Sequence, residues 1–123
     1  MSASPGRVLH TIALQLLAAL APYDHDIEGL LHGWPDEAQF RRVWDHVEQI
    51  RLYSAGVPLV RVQSTSVLIA QAELVRLLCR SQDRYELGVG RDIARARADH
   101  REALEALRFR LQWVINRERD ALH

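Results

Sequence analysis

The stretch RDIARARADHREALEALRFRLQWVINRERDAL, residues 91–122, decides the fold because it runs for about 32 residues without proline or glycine. One face of it repeats at three- and four-residue steps, which is the spacing of an α-helix and not of a strand. That face consists of Ile93, Ala96, His100, Leu104, Leu107, Leu111 and Val114. A helix of this length spans roughly 48 Å, whereas a compact domain of this size is roughly 26–28 Å across. We therefore predict a long C-terminal helix that packs against several neighbours.

The C-terminal half of this helix carries a second apolar edge, formed by Ala106, Phe109 and Trp113. An apolar surface that wraps this far around a helix is too wide for one neighbour to cover. Either two helices of the same chain cover it, or one helix and a second subunit do. Aromatic residues are enriched at the centres of protein interfaces. We therefore predict Phe109 and Trp113 as interface anchors, with Trp34 and Trp44 as possible second anchors.

The first part of the chain predicts one long and one short helix. Ser4-Pro5 is a typical helix start, and an apolar helix follows over residues 8–21. Residues 22–25, which begin with proline, are predicted to be a connector. A short helix from Ile27 to His32 then ends at Gly33.

The middle of the chain contains one firm helix and one ambiguous segment. The firm helix starts at about Pro35 and runs to about Ser54, with apolar residues again at helical spacing. After it, the pattern favours a helix from Pro58 to Gln82, because an isolated two-stranded hairpin is marginally stable. The alternative is a small hairpin over residues 51–62. Residues 82–90 are predicted to be a turn.

These elements predict an all-α fold, a four-helix up-and-down bundle with an extra short helix and a long C-terminal helix. The length of 123 residues is that of one domain, so we expect residues 1–123 to form a single helical domain. The alternative fold is winged-helix-like, with the hairpin at 51–62 as its wing.

The charge composition limits the classes of partner. The 16 basic residues, all arginine, balance 16 acidic residues, so the chain has no overall basic field to attract nucleic acid. Residues 1–60 hold four arginines and seven acids, and residues 61–123 hold twelve arginines and nine acids. The two halves therefore carry opposite net charges. We attribute the absence of lysine to GC-rich codons and expect a bacterial protein.

The apolar run over residues 8–21 is too short to span a membrane, which takes about 20 residues. Ala19-Leu20-Ala21 resembles a signal-peptide cleavage site, but Pro22 would directly follow the cut. We favour a buried first helix in a cytoplasmic protein with no membrane partner. The single Cys79 cannot form an internal disulfide and is predicted to be a small core residue.

The densest group of possible ligand residues is His25, Asp26, Glu28 and His32. Glu28 and His32 are four residues apart and share a helix face, as metal-binding pairs do. A second group, Asp45 to Glu48, lies on the next helix, and a bundle could bring the two together. The Glu-x-x-His repeats of a di-metal bundle are missing, however. We favour capping and solvated roles, and we expect no metal or cofactor.

His100 lies on the apolar face of the long helix and is predicted to be a partly buried histidine that bonds a nearby carbonyl or carboxylate. On that basis we expect His100→Leu to leave the stability at neutral pH unchanged or higher. The chain shows no nucleophile or phosphate-loop motif, so we do not expect an enzyme.

The sequence thus predicts a non-catalytic module for protein interaction or self-assembly, with a protein partner or a homodimer. The alternative is a winged-helix DNA-binding regulator that dimerises through its C-terminal helix. It is less favoured because the recognition helix would carry four acids and two arginines, the wrong sign for a phosphate-lined groove.

Overall fold

The computed structural model describes residues 5–83 and 88–121, and these residues form helices joined by short connections. The elements are α1 (Pro5–Gly33), α2 (Glu37–Ala55), a 3₁₀ turn (Pro58–Val60), α3 (Arg61–Asp83) and α4 (Val89–Ala121). No strand occurs in the described ranges. The predicted all-α fold with a long C-terminal helix is therefore confirmed. The predicted turn at 82–90 lies partly outside the described residues.

The alternative to the predicted helix, a hairpin over residues 51–62, does not form. Residues 51–55 are the end of α2, and residues 58–60 form the 3₁₀ turn that leads into α3. Val57 and Val60 are both fully buried, so this segment is held by the core and needs no strand partner. Proline suits the first turn of a helix because its missing N–H would have no partner there. The favoured reading, a helical segment starting at Pro58, is confirmed, and the winged-helix alternative has no wing.

The predicted connector at 22–25 and the separate short helix after it are wrong, because α1 continues through Pro22. A proline inside a helix costs about 3 kcal/mol. The buried face of α1 runs without a break across this position, through Leu16, Leu20, Tyr23, Ile27 and Leu30. Burying one such side chain contributes about 1.5–3 kcal/mol. The continuous apolar face therefore outweighs the cost of the proline.

Neighbouring helices of the bundle run antiparallel. The hydroxyl of Ser54, at the end of α2, donates to that of Ser64 near the start of α3. On α1, Glu28 contacts the start of α4, whereas Asp24 contacts Arg108 further along it. The interfaces of α1 with α2, α1 with α4 and α3 with α4 are extensive, and that of α2 with α3 is smaller. This is the up-and-down arrangement.

The core is one cluster of aliphatic side chains contributed by all four helices. From α4 it includes the predicted face: Ala96, Leu104, Leu107, Leu111 and Val114, with His100 buried beside them and Ile93 partly buried. The largest fully buried side chain is Tyr23 of α1. Within the described ranges, no helix combines the length and apolar character needed to cross a membrane.

Candidate interaction surface

Asp26 ties α1 to α2 and is not free to bind a ligand. The amide Nε2 of Gln39 donates to its Oδ1 at 2.9 Å, and His46 Nε2 lies 2.8 Å from its Oδ2. Arg42 Nε is 3.6 Å from the same carboxylate. The structure thus brings together one member of each predicted ligand group, Asp26 and His46. Their contact holds two helices at the correct spacing.

The other members of the predicted group point elsewhere. Glu28 faces α4, where Arg97 and Arg101 both donate to its carboxylate, Arg101 at 3.3 Å. His25 is exposed, and His32 Nδ1 donates to the backbone carbonyl of Glu28 at 2.7 Å. Among the described residues, no three His, Cys, Asp or Glu side chains form a group that could hold a metal ion. The geometry therefore gives this set structural contacts and not a shared site.

The two arginines change the ionisation of Glu28. Its partial burial acts to raise the pKa of the carboxyl, but the hydrogen bonds and charges of Arg97 and Arg101 outweigh that effect and hold its pKa below the usual range. Glu28 is therefore ionised at neutral pH, and it joins α1 to α4 from the side opposite Asp26.

A buried polar pair, Tyr23 and His100, lies between the contacts that Asp26 and Glu28 make with the neighbouring helices. The hydroxyl oxygen of Tyr23 is 2.6 Å from Nε2 of His100, and the ring centroids are 5.5 Å apart. Burial, reinforced by Asp24, raises the pKa of the Tyr23 hydroxyl, and burial lowers the pKa of His100 against the opposing charges of Asp24 and Glu28. Both groups are therefore neutral at pH 7, and the tautomer of His100 sets which of the two donates the hydrogen bond.

Sequence reasoning placed His100 correctly inside the fold but missed Tyr23, which it assigned to a connector. The signal was available, because Tyr23 follows Leu20 by three residues and continues the apolar face of the first helix.

The most exposed large apolar side chains of α3 and α4 lie on the side of these helices away from the core. Phe109 is 79% exposed, Val62 72% and Ile69 65%. The alignment of the helices follows from two contacts. Arg110 Nε donates to the carbonyl of Leu59 at 3.1 Å, and Ile69 lines the same groove as Ala103. Since the two helices run antiparallel, Val62 is level with residues 107–110 of α4.

We call this surface the α3–α4 outer face. It consists of Val62, Ser66 and Ile69 of α3 and of Asp99, Glu102, Ala103, Ala106, Phe109 and Trp113 of α4. Part of it is a shallow groove of about 350 Å³ between the two helices, with an apolar floor that includes Ala70 and Ala96. The second apolar edge predicted for α4 is thus not covered by α1, which packs on the opposite edge of the helix.

Two arginines partly cover the indole of Trp113. The guanidinium carbon of Arg110 lies 4.2 Å from the ring centroid, and that of Arg117 lies 5.2 Å away. Both distances are within the range of cation–π contacts. These contacts explain why Trp113 is only 41% exposed, less than Phe109. They also place positive charge at one end of the face.

The second pair of predicted anchors lies around the start of α2. Trp34 is partly buried and packs edge-on against Phe40, with ring centroids 6.4 Å apart, whereas Trp44 is 52% exposed. Shallow grooves on both sides of Phe40 join the two tryptophans into one surface. Cys79 borders this surface and is exposed, so its predicted core position is wrong. Leu77 and Leu78 take the core positions there, and the next residue points outward.

Comparisons of this chain with models of known protein families, with curated proteins and with solved structures found no match. The functional assignment therefore depends on the geometry of these surfaces.

Proposed function

We propose that this chain is a non-catalytic, self-assembling module whose contact surface is the α3–α4 outer face. The observation that supports it best is the exposure of Phe109, Val62 and Ile69 on the outward sides of two adjacent helices. Large contiguous apolar patches are uncommon on proteins that remain monomeric, and they mark interaction sites. An aromatic centre with arginines at its border is also the composition typical of interfaces.

The charges around the patch favour a second copy as the partner. Asp99 and Glu102 precede Phe109 along α4, and Arg110 and Arg117 follow it, both against the ring of Trp113. A surface with both signs, separated by an apolar centre, is complementary to a rotated copy of itself. The polar clusters inside the bundle are consistent with a non-catalytic role, because their groups bond other helices of the same chain.

The test is the solution mass by light scattering over a range of concentrations. We expect the wild type to move from the 14.1 kDa of one chain towards twice that mass as its concentration rises. Phe109→Glu should remain at the mass of one chain, because it places an unpaired charge at the centre of the contact. Circular dichroism would verify that the variant keeps its helical content.

A matched control is Leu52→Glu, which introduces the same charge at a leucine of α2 that is 75% exposed and lies outside the proposed contact. This variant should associate like the wild type. The proposal is wrong if the wild type stays monomeric up to millimolar concentration, or if Phe109→Glu associates as strongly as Leu52→Glu.

A further inference from the structure

We infer that the two copies pair antiparallel, with α4 of one lying along α4 of the other and the symmetry axis passing near Leu107. This inference rests on the proposed self-assembly and specifies its geometry. It follows from the order of charges along one edge of α4, from the absence of ion pairs for four of them among the described residues, and from the positions of small and large side chains.

The charges along the outer edge of α4 alternate in sign in a particular order. After Arg91 and Asp92 at its N-terminal end, the edge carries Arg95, Asp99, Glu102, Arg110, Arg117 and Asp120. The signs are therefore positive, negative, negative, positive, positive, negative. An antiparallel copy centred near residues 107 and 108 places Arg95 against Asp120 and Asp99 against Arg117, whereas an unshifted parallel copy places each charge against its own counterpart.

Most charges of this edge also form no ion pair with the described residues. On the opposite edge of α4, Arg97, Arg101 and Arg108 pair with acids of α1. In contrast, Arg95, Asp99, Glu102 and Asp120 form no ion pair with any of the described residues. Like charges or unpaired charges at an interface oppose association. Opposite charges favour association and fix how the two surfaces are aligned. These four groups remain available to a second copy.

The apolar residues agree with the register that the charges require. Arg95 opposite Asp120 places the centre of the pairing between residues 107 and 108, and Asp99 opposite Arg117 places it at residue 108. The same centre sets Ala106 opposite Phe109 of the second copy. It also sets Ala103 opposite Trp113. Each exposed aromatic ring thus meets an alanine, where a small side chain leaves room for a large one.

A pairing of this kind uses the same surface on both copies, so it closes as a dimer and cannot extend into a filament. Val62 and Ile69 of α3 flank the paired α4 helices and extend the apolar contact on both sides. The expected assembly is therefore a dimer in which the α3–α4 outer faces meet, with the aromatic rings near its middle and the ion pairs Arg95–Asp120 and Asp99–Arg117 towards its ends.

The decisive experiment is disulfide cross-linking between two single-cysteine chains. Cys79→Ser first removes the native thiol, and Asp99→Cys and Arg117→Cys are then made separately in that chain. Under mild oxidation we expect the mixture of the two chains to give a cross-linked dimer. Neither chain alone should do so, because residue 99 lies roughly 27 Å along the helix from its own counterpart in the antiparallel pair. A parallel pair would give the reverse result.

Charge reversal provides a second and independent readout. Asp99→Arg should raise the dissociation constant of the dimer roughly tenfold, because two symmetry-related contacts become repulsive. Adding Arg117→Asp to the same chain should restore the wild-type value, since both pairs are then opposite again. In a parallel pair the second substitution would restore nothing.

The outcomes separate this inference from the proposed function. A wild type that stays monomeric overturns both. A dimer in which Asp99→Cys and Arg117→Cys each cross-link alone, or in which the mixture does not cross-link, overturns the antiparallel geometry and leaves the self-assembly in place. Cross-linking of the mixture alone, together with restoration by Arg117→Asp, supports both.

Discussion

Tyr23 and His100 form a hydrogen bond of 2.6 Å in the core, between residues 77 positions apart in the chain. The bond joins α1 to α4 where both helices are otherwise lined by aliphatic side chains. A buried donor or acceptor that loses its partner costs more than the bond itself contributes, because neither water nor another group replaces it. This pair therefore specifies which residues of α1 face which residues of α4.

Tyr23→Phe removes the hydroxyl and leaves Nε2 of His100 buried without its hydrogen-bond partner. We expect the free energy of unfolding to fall by about 1–3 kcal/mol, measured by urea denaturation at pH 7. The matched control is Tyr53→Phe, because the hydroxyl of Tyr53 has no hydrogen-bond partner among the described residues. That substitution should leave the stability almost unchanged. Equal losses in the two variants would contradict a special role for the Tyr23 hydroxyl.

His100→Leu should also destabilise the protein by about 1–3 kcal/mol, because it leaves the buried Tyr23 hydroxyl without its hydrogen-bond partner. The sequence alone led to the opposite expectation, since it did not reveal this partner. The double variant Tyr23→Phe with His100→Leu removes both polar groups and should be more stable than the sum of the single losses predicts. Additive losses in this double-mutant cycle would indicate that the two side chains do not interact.

The stability should depend on pH through His100. Burial holds the pKa of His100 below the ordinary value of about 6.5. As the pH falls below about 6.5, the unfolded chain therefore binds a proton that the folded chain does not, and the free energy of unfolding decreases. Above that pH this contribution is constant. Asp24 and Glu28 oppose the shift, and Arg101 adds to it, but the effect of burial exceeds theirs.

The measurement is urea denaturation between pH 8 and pH 5 for the wild type and for the variant with both Tyr23→Phe and His100→Leu. The wild type should lose stability relative to this variant as the pH decreases through 6.5. A constant difference over the whole range, or a gain of the wild type at low pH, would show that His100 is not held neutral by its surroundings.

Asp26→Ala should weaken the contact between α1 and α2. It removes the acceptor of both Gln39 and His46, so we expect a loss of about 1–3 kcal/mol in the free energy of unfolding. The control is Asp45→Ala, which removes an exposed carboxylate with no ion pair among the described residues. Thermal and urea unfolding of the two variants should differ clearly, and similar stabilities would contradict the role assigned to Asp26.

Asp36→Ala tests the start of α2. The Oδ1 of Asp36 accepts a hydrogen bond from the backbone N–H of Gln39 at 3.1 Å, which is the typical N-cap contact. Its loss should cost about 1 kcal/mol, whereas Asp36→Asn should retain most of the stability because asparagine caps about as well. The comparison of the two denaturation curves is the measurement. Equal losses would indicate that the charge of Asp36 matters more than the cap.

Much of the fold could be predicted because it depends on local periodicity. The apolar face of α4, including His100, and the helical segment from Pro58 follow directly from residue spacing. The surplus edge at Phe109 was also visible, because an exposed large side chain on an otherwise polar face departs from that spacing. The proline rule failed at Pro22, where the buried face on both sides of it stabilised a helix that the local preference opposes.

The sequence by itself determined which residues form helices and which face of each helix is apolar, since both depend on neighbours within a few positions. Only the tertiary structure decided that Tyr23 bonds His100, that Asp26 contacts His46, and that the outer edge of α4 is left uncovered. These relationships join residues far apart in the chain. They depend on which helices are neighbours and on the axial alignment of each pair of helices. The packing of the whole core determines the neighbours and their alignment.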